Sequence, residues 1–79
     1  MKIEIKLFYD LAQFLPPGST KNTGIMDLDE GTTVQDLIDL LNLPSDLPKS
    51  ILVNGLTAKK DTVLKDNDSV AVFPPMAGG

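Results

Sequence analysis

The strongest constraint in this chain is a change of period. Val34, Leu37, Ile38 and Leu41 recur at i, i+3, i+4 and i+7, the spacing of one buried helical face. Around them the clearest apolar runs read as strands. In residues 2–9, Ile3, Ile5, Leu7 and Tyr9 point one way, and Lys2, Glu4, Lys6 and Phe8 point the other. One helix with one apolar face must lie on a sheet. The expected class is therefore α+β, with one mixed β-sheet packed on one main helix.

Turn chemistry sets the order of elements. Residues 10–15 suit a short helical turn, which Pro16-Pro17-Gly18-Ser19 stops. Residues 18–24 read as a loop. Residues 25–28 read as a second strand, with Ile25 and either Met26 or Leu28 inward. Gly18, Gly24, Gly31 and Gly55 read as turn residues. Thr33 is a suitable N-cap, with Asp36 three residues on, close to a capping box. The helix is expected to end near Asn42, because Pro44 disfavours helix in the residue before it. Residues 45–49 are a Pro-containing connection. Residues 51–53 form a short strand, and Asn54-Gly55 signals a tight turn. In Asp66-Asn67-Asp68, Asn67 suits the left-handed conformation. Val70 and Val72 alternate with Ala71 and Phe73 in the last strand. A hairpin, then a helical crossover into a strand beside the first, is the β-grasp plan. The whole of 1–79 reads as a single domain, with 74–79 as an extended tail.

Composition removes most chemistry. The 79 residues include no Cys and no His, so there is no thiolate site, no cysteine nucleophile and no histidine base. All seven basic residues are lysines, and the net charge of −4 shows no basic stripe, which argues against nucleic-acid binding. No apolar run approaches membrane length and the N-terminus has no signal pattern, so a cytoplasmic protein without a membrane partner is expected. Asp27, Asp29, Glu30 and Gly31 lack calcium-loop spacing, and no phosphate-binding glycine motif occurs. No metal or cofactor-binding residue is expected.

One reactive group remains that can be presented at a distance: the α-carboxylate of Gly79. The tail leaves a strand through Pro74-Pro75, which stiffen it, and residues 74–79 span up to roughly 20 Å when extended. Gly78 and Gly79, lacking Cβ atoms, suit a narrow channel. A carboxylate is ionised at neutral pH and is a poor electrophile, so a partner must activate it, for example by adenylation. From the residues alone this ending reads equally as a presented carboxylate or as a frayed terminus.

Val53-Asn54-Gly55, Leu64-Lys65-Asp66-Asn67-Asp68 and the ending Val70-Ala71-Val72-Phe73-Pro74-Pro75-Met76-Ala77-Gly78-Gly79 resemble the MoaD/ThiS ubiquitin-like sulfur carriers. Ile5-Lys6-Leu7-Phe8 and the helix start at Thr33-Val34 agree, so the resemblance covers essentially the whole chain. The Phe-Pro-Pro-x-x-Gly-Gly ending points towards the small subunit of molybdopterin synthase. The resemblance implies a ubiquitin-like β-grasp fold. It implies that an E1-like enzyme adenylates Gly79 with ATP, and that a sulfur donor such as a cysteine desulfurase system then converts it to a thiocarboxylate. Docked in a large synthase subunit, that sulfur would enter the dithiolene of molybdopterin, for a molybdenum or tungsten cofactor. The chain would be a carrier rather than an enzyme, and Gly78 would let the tail thread the partner. The alternatives are a thiamine-type sulfur carrier, or a ubiquitin-like modifier conjugated through Gly79.

Strand parity adds an interface. Phe8 and Phe73 fall on the face opposite the helix. With the first and last strands as parallel neighbours, both rings lie at the end where the tail departs. An exposed patch of Phe8 and Phe73, with Leu56 as third member, is expected to dock partners together with Pro74, Pro75, Met76 and Ala77. The competing expectation is a small cluster covered by a loop. Phe14 and Leu15 read as core or staple residues.

Overall fold

The computed structural model describes residues 1–43 and 50–74. The 45–49 connection and residues 75–79 of the tail lie outside the described residues. Among the described residues one mixed sheet has five strands: β1 (Lys2–Leu7), β2 (Thr23–Asp27), β3 (Ser50–Val53), β4 (Leu56–Thr57) and β5 (Ser69–Phe73). Their order is β2-β1-β5-β3-β4. β1 and β5 are parallel, and the other pairs are antiparallel. The expected α+β β-grasp architecture is therefore present. One detail differs. The strand reached by the helical crossover, β3, is not beside β1; β5 lies between them.

The one α-helix among the described residues, α1 (Val34–Leu40), buries Val34, Leu37 and Ile38 in one cluster with Ile3, Ile5, Leu7, Val70 and Val72 of the central strands. Each such side chain contributes about 1.5–3 kcal/mol of transfer free energy. Every donor in the first turn of α1 has a partner. Val34 N–H donates to Thr62 O and Gln35 N–H to Lys60 O, both at 2.9 Å. Thr33 and Asp36 form a reciprocal capping box, at 3.2 and 3.1 Å. At the other end Asn42 takes φ 60°, and Leu43 N–H donates to Ile38 O while Asn42 N–H donates to Asp39 O. This pair of bonds is the Schellman ending, with Asn at the position glycine usually holds. The helix stops through this turn, which buries Leu43 against the core. None of the α-helices among the described residues is long and apolar enough to cross a membrane.

Three positions correct the sequence reading. β1 ends at Leu7, and Tyr9, expected on the buried face, has φ 56° and is exposed. The left-handed turn there starts the 3₁₀ helix Tyr9–Phe14, which buries Leu11 instead. Ile25, expected inward, is exposed. The register sets it opposite Glu4 on the outer face, whereas Met26 pairs with Ile3 and packs against the core, and Leu28 is buried. Gly24 is a strand residue opposite Ile5, not a turn residue. A Cβ at Gly24 would collide with Ser19 Oγ and lie 3.2 Å from Pro16. Ser19 Oγ cannot yield freely, because it donates to Pro16 O at 2.6 Å.

The end of the sheet away from the tail is closed by two turns. Asn54 and Gly55 have φ 53° and 84°, as a two-residue type I′ hairpin requires. Asn54 Nδ2 donates to Asp68 Oδ1, and Asn54 Oδ1 accepts from Ser69 N–H, both at 2.9 Å. Asn67 takes the left-handed conformation expected of it, with φ 69°.

Substitutions at two positions test this account by urea denaturation. Gly24→Ala is expected to lower stability by about 1–3 kcal/mol through overpacking. Asn42→Ala is expected to cost about 1 kcal/mol while Asn42→Gly costs nothing, because only the left-handed backbone matters there. Equal losses at Asn42 would refute the Schellman assignment.

Candidate functional site

The site grows from the parallel pairing of β1 and β5. Both strands run towards the same end of the sheet, and their last registered pair is Leu7 with Val72. Phe8 N–H donates to Val72 O at 3.3 Å and extends the ladder by one step. Leu7 and Val72 are buried on the helix side, so the next residues, Phe8 and Phe73, fall on the outer face. Their rings stack with centroids 4.4 Å apart and planes within 1°. Both residues are half-buried rather than exposed as expected, because each ring covers one face of the other. Tyr9 then turns β1 away, and Pro74, without an N–H, follows directly on β5.

Other outer-face residues frame the rings. The register sets Ala71 between Leu52 of β3 and Lys6 of β1, and Phe73 beside Ser50. Leu52 and Ala71 thus extend the apolar surface from Phe73. The sequence reading missed them, because Leu52 lies inside the unbroken apolar run of residues 51–53, where parity is not visible. Further along the face the surface is polar. Ser69 Oγ donates to Glu4 Oε1 at 2.9 Å, and Lys6 Nζ lies 3.8 Å from the same oxygen. Exposed pairs of this kind contribute under about 1 kcal/mol and mark a margin rather than a site.

Leu56 does not belong to this patch. It is exposed, but it pairs with Val53, which is opposite Val70 on the helix-side face. Ser50, not Val53, is the β3 residue beside Phe73. Leu56 is therefore about 10 Å further along the sheet and on the other side of it. Pro75, Met76, Ala77, Gly78 and Gly79 lie outside the described residues.

Among the described residues no polar or charged side chain is buried, and no three His, Cys, Asp or Glu side chains converge on a metal position. The geometry offers a pair of stacked, half-buried rings at the end of the strand that leads into the tail.

A mixed five-stranded sheet in β-grasp order, with its last strand parallel to its first, defines the ubiquitin-like class. Within it, the chain belongs to the ThiS family, whose model matches residues 14–79. Among solved structures it is similar to the small archaeal modifier protein SAMP1 from Haloferax volcanii, with 30% identity over the whole of both chains and a TM-score of 0.77. It is similar to a putative molybdopterin converting factor, subunit 1, from Pyrococcus furiosus, with 29% identity over 96% of this chain and 99% of that one, and a TM-score of 0.75. The complex of subunits 1 and 2 of molybdopterin-converting factor from Helicobacter pylori shares the fold over 100% of both chains compared, with 20% identity and a TM-score of 0.62. No curated protein matches the sequence.

The ring stack is testable on its own. A double-mutant cycle of Phe8→Leu and Phe73→Leu, followed by denaturation, is expected to give a coupling of about 0.5–1.5 kcal/mol. A coupling near zero would mean that the rings contribute only their separate burial.

Proposed function

We propose that this chain is a sulfur carrier acting in the cytoplasm through the carboxylate of Gly79. An E1-like partner joins that carboxylate to the α-phosphate of ATP and releases pyrophosphate. The acyl-adenylate is the electrophile that the free carboxylate is not. A persulfide, supplied by a donor such as a cysteine desulfurase system, attacks the acyl carbon and displaces AMP, and a thiol reductant then cleaves the S–S bond of the resulting acyl disulfide, which leaves a thiocarboxylate on Gly79 and a disulfide on the donor side. In a large synthase subunit the thiocarboxylate sulfur bonds to a pterin precursor, water cleaves the acyl–sulfur bond and restores the carboxylate of Gly79, and two such transfers supply the dithiolene of molybdopterin. The chain is the cargo-bearing subunit, and catalysis belongs to its partners.

The observation that carries this reading is the extent of the family match, which runs through Gly78 to Gly79. The Pyrococcus furiosus neighbour at 29% identity supports the molybdopterin branch over the thiamine branch. A chain of this fold bound to a second subunit in the Helicobacter pylori structure supports a large-subunit partner. The stacked Phe8 and Phe73, with Leu52 and Ala71, supply the docking face beside the tail. A second reading has its own support. Haloferax volcanii SAMP1, at 30% identity, is a modifier protein, and the same activated Gly79 conjugates to a lysine if an amine rather than sulfur attacks.

Intact mass separates the two. After incubation with ATP, a sulfur donor and the activating enzyme, a gain of one sulfur-for-oxygen exchange is expected, lost on deletion of Gly79. Isopeptide-linked adducts instead would favour the modifier reading, and an unchanged mass would overturn both. Phe73→Ala, in a folded variant, is expected to weaken binding to the large subunit at least about tenfold, or 1.4 kcal/mol. Unchanged affinity would remove the docking face from the proposal.

A further inference from the structure

We propose that Asn54 is the deamidation site of this chain, and that its hydrogen bonds to Asp68 and Ser69 set how fast it reacts. Deamidation begins when the next backbone nitrogen attacks the asparagine Cγ. Asn22, Asn42 and Asn67 precede Thr23, Leu43 and Asp68, whereas Asn54 precedes Gly55. A glycine has no Cβ to hinder that approach. Asn54 and Gly55 are both exposed at the tip of the β3–β4 hairpin. Gly55 N–H donates to no acceptor among the described residues. Beyond its chain neighbours, no heavy atom lies within 4 Å of the place a Gly55 Cβ would take. The nucleophile is therefore unhindered.

The electrophile is restrained. Asn54 Nδ2 donates to Asp68 Oδ1 and Asn54 Oδ1 accepts from Ser69 N–H, both at 2.9 Å. Asp68 is itself fixed, because its other oxygen accepts from Lys65 N–H at 2.8 Å. Closing the five-membered ring draws Cγ onto the Gly55 nitrogen. An amide pinned at both polar atoms must leave at least one partner to do so, and the latch slows the reaction by that cost.

The step is closed in atoms. A base in solution takes the Gly55 N–H proton, the nitrogen bonds to Cγ, and the Cγ–Nδ2 bond breaks as Nδ2 gains a proton and leaves as ammonia. Water opens the cyclic imide at either carbonyl, giving aspartate or isoaspartate. Nothing is oxidised or reduced. Either product undoes the latch. Aspartate sets a carboxylate oxygen where Nδ2 stood, facing Asp68 with the donor lost, and like charges in contact repel. Isoaspartate adds a methylene to the backbone of a two-residue turn that needs φ 53° and 84° to close. Phe8 and Phe73 lie at the other end of the sheet, so the damage stays where β5 begins.

The test incubates the full chain in warm, mildly alkaline buffer and follows the exchange of a side-chain NH2 for OH by mass. The tryptic peptide of residues 50–59 contains Asn54 and no other side-chain amide. That peptide is expected to change first, and more slowly in the folded chain than in the urea-unfolded one. Asp68→Ala is expected to raise the folded rate about fivefold, which corresponds to about 1 kcal/mol, the usual net value of one hydrogen bond. Ile5→Val, which loosens the core but leaves the latch in place, is expected not to change it. Asn54→Asp is expected to unfold at lower urea concentration than Asn54→Gly, which loses the same side-chain bonds without adding a charge. Reaction led by another asparagine, equal rates in the folded and unfolded chains, the same rate change in Asp68→Ala and Ile5→Val, or equal midpoints for the two Asn54 variants would overturn the proposal.

Discussion

The parallel pairing of β1 with β5 holds this domain together. It joins residues as far apart as Glu4 and Ser69, 65 positions in sequence. No tight turn can close a parallel pair, so the rest of the chain must be threaded between the two strands. β2 is added outside β1, β3 and β4 are added outside β5, and α1 covers the buried face of both. The turn before β5 fastens the pairing where it begins. Lys2 N–H donates to Asp66 Oδ1 at 2.7 Å, Asn67 N–H to Lys2 O at 2.8 Å, and Glu4 N–H to Asp68 O at 3.0 Å. The acidic turn of residues 66–68 is therefore structural: its side chains and backbone hold the start of β1.

The parts of this arrangement with a clear local period were legible in the sequence. The alternation of Ile3, Ile5 and Leu7, the face of α1, its Thr33 cap and the Asn54-Gly55 turn each follow from a few neighbouring residues. The same parity set Phe8 and Phe73 on one outer face. What was hidden depends on pairing between distant segments. Ile25 and Met26 are adjacent and both apolar, so nothing local decides which faces inward; the register with β1 does. Gly24 looks like part of a glycine-bearing loop until Ser19 and Pro16 are seen against it. Leu64 lies in a polar stretch with no apolar residue at helical or strand spacing after it, yet it is buried. Leu56 was misassigned to the aromatic patch because parity says nothing of how far along the sheet a hairpin reaches.

The two ends of the sheet are built differently. At one end backbone and side-chain hydrogen bonds among Asn54, Asp68 and Ser69 lock the hairpin to the start of β5. At the other the outer face ends in two stacked rings, with no polar network of comparable density among the described residues. Hydrogen bonds are gathered at the end of the sheet where β5 begins, and an apolar stack is left at the end where β5 finishes.

The central place of β5 has a mechanical consequence. A partner that grips the tail pulls along the axis of a strand bonded on both sides, to β1 and to β3. The load is then borne in shear, by several rungs at once, rather than by peeling one rung after another. A domain wired in this way keeps its globule intact when its C-terminal end is pulled.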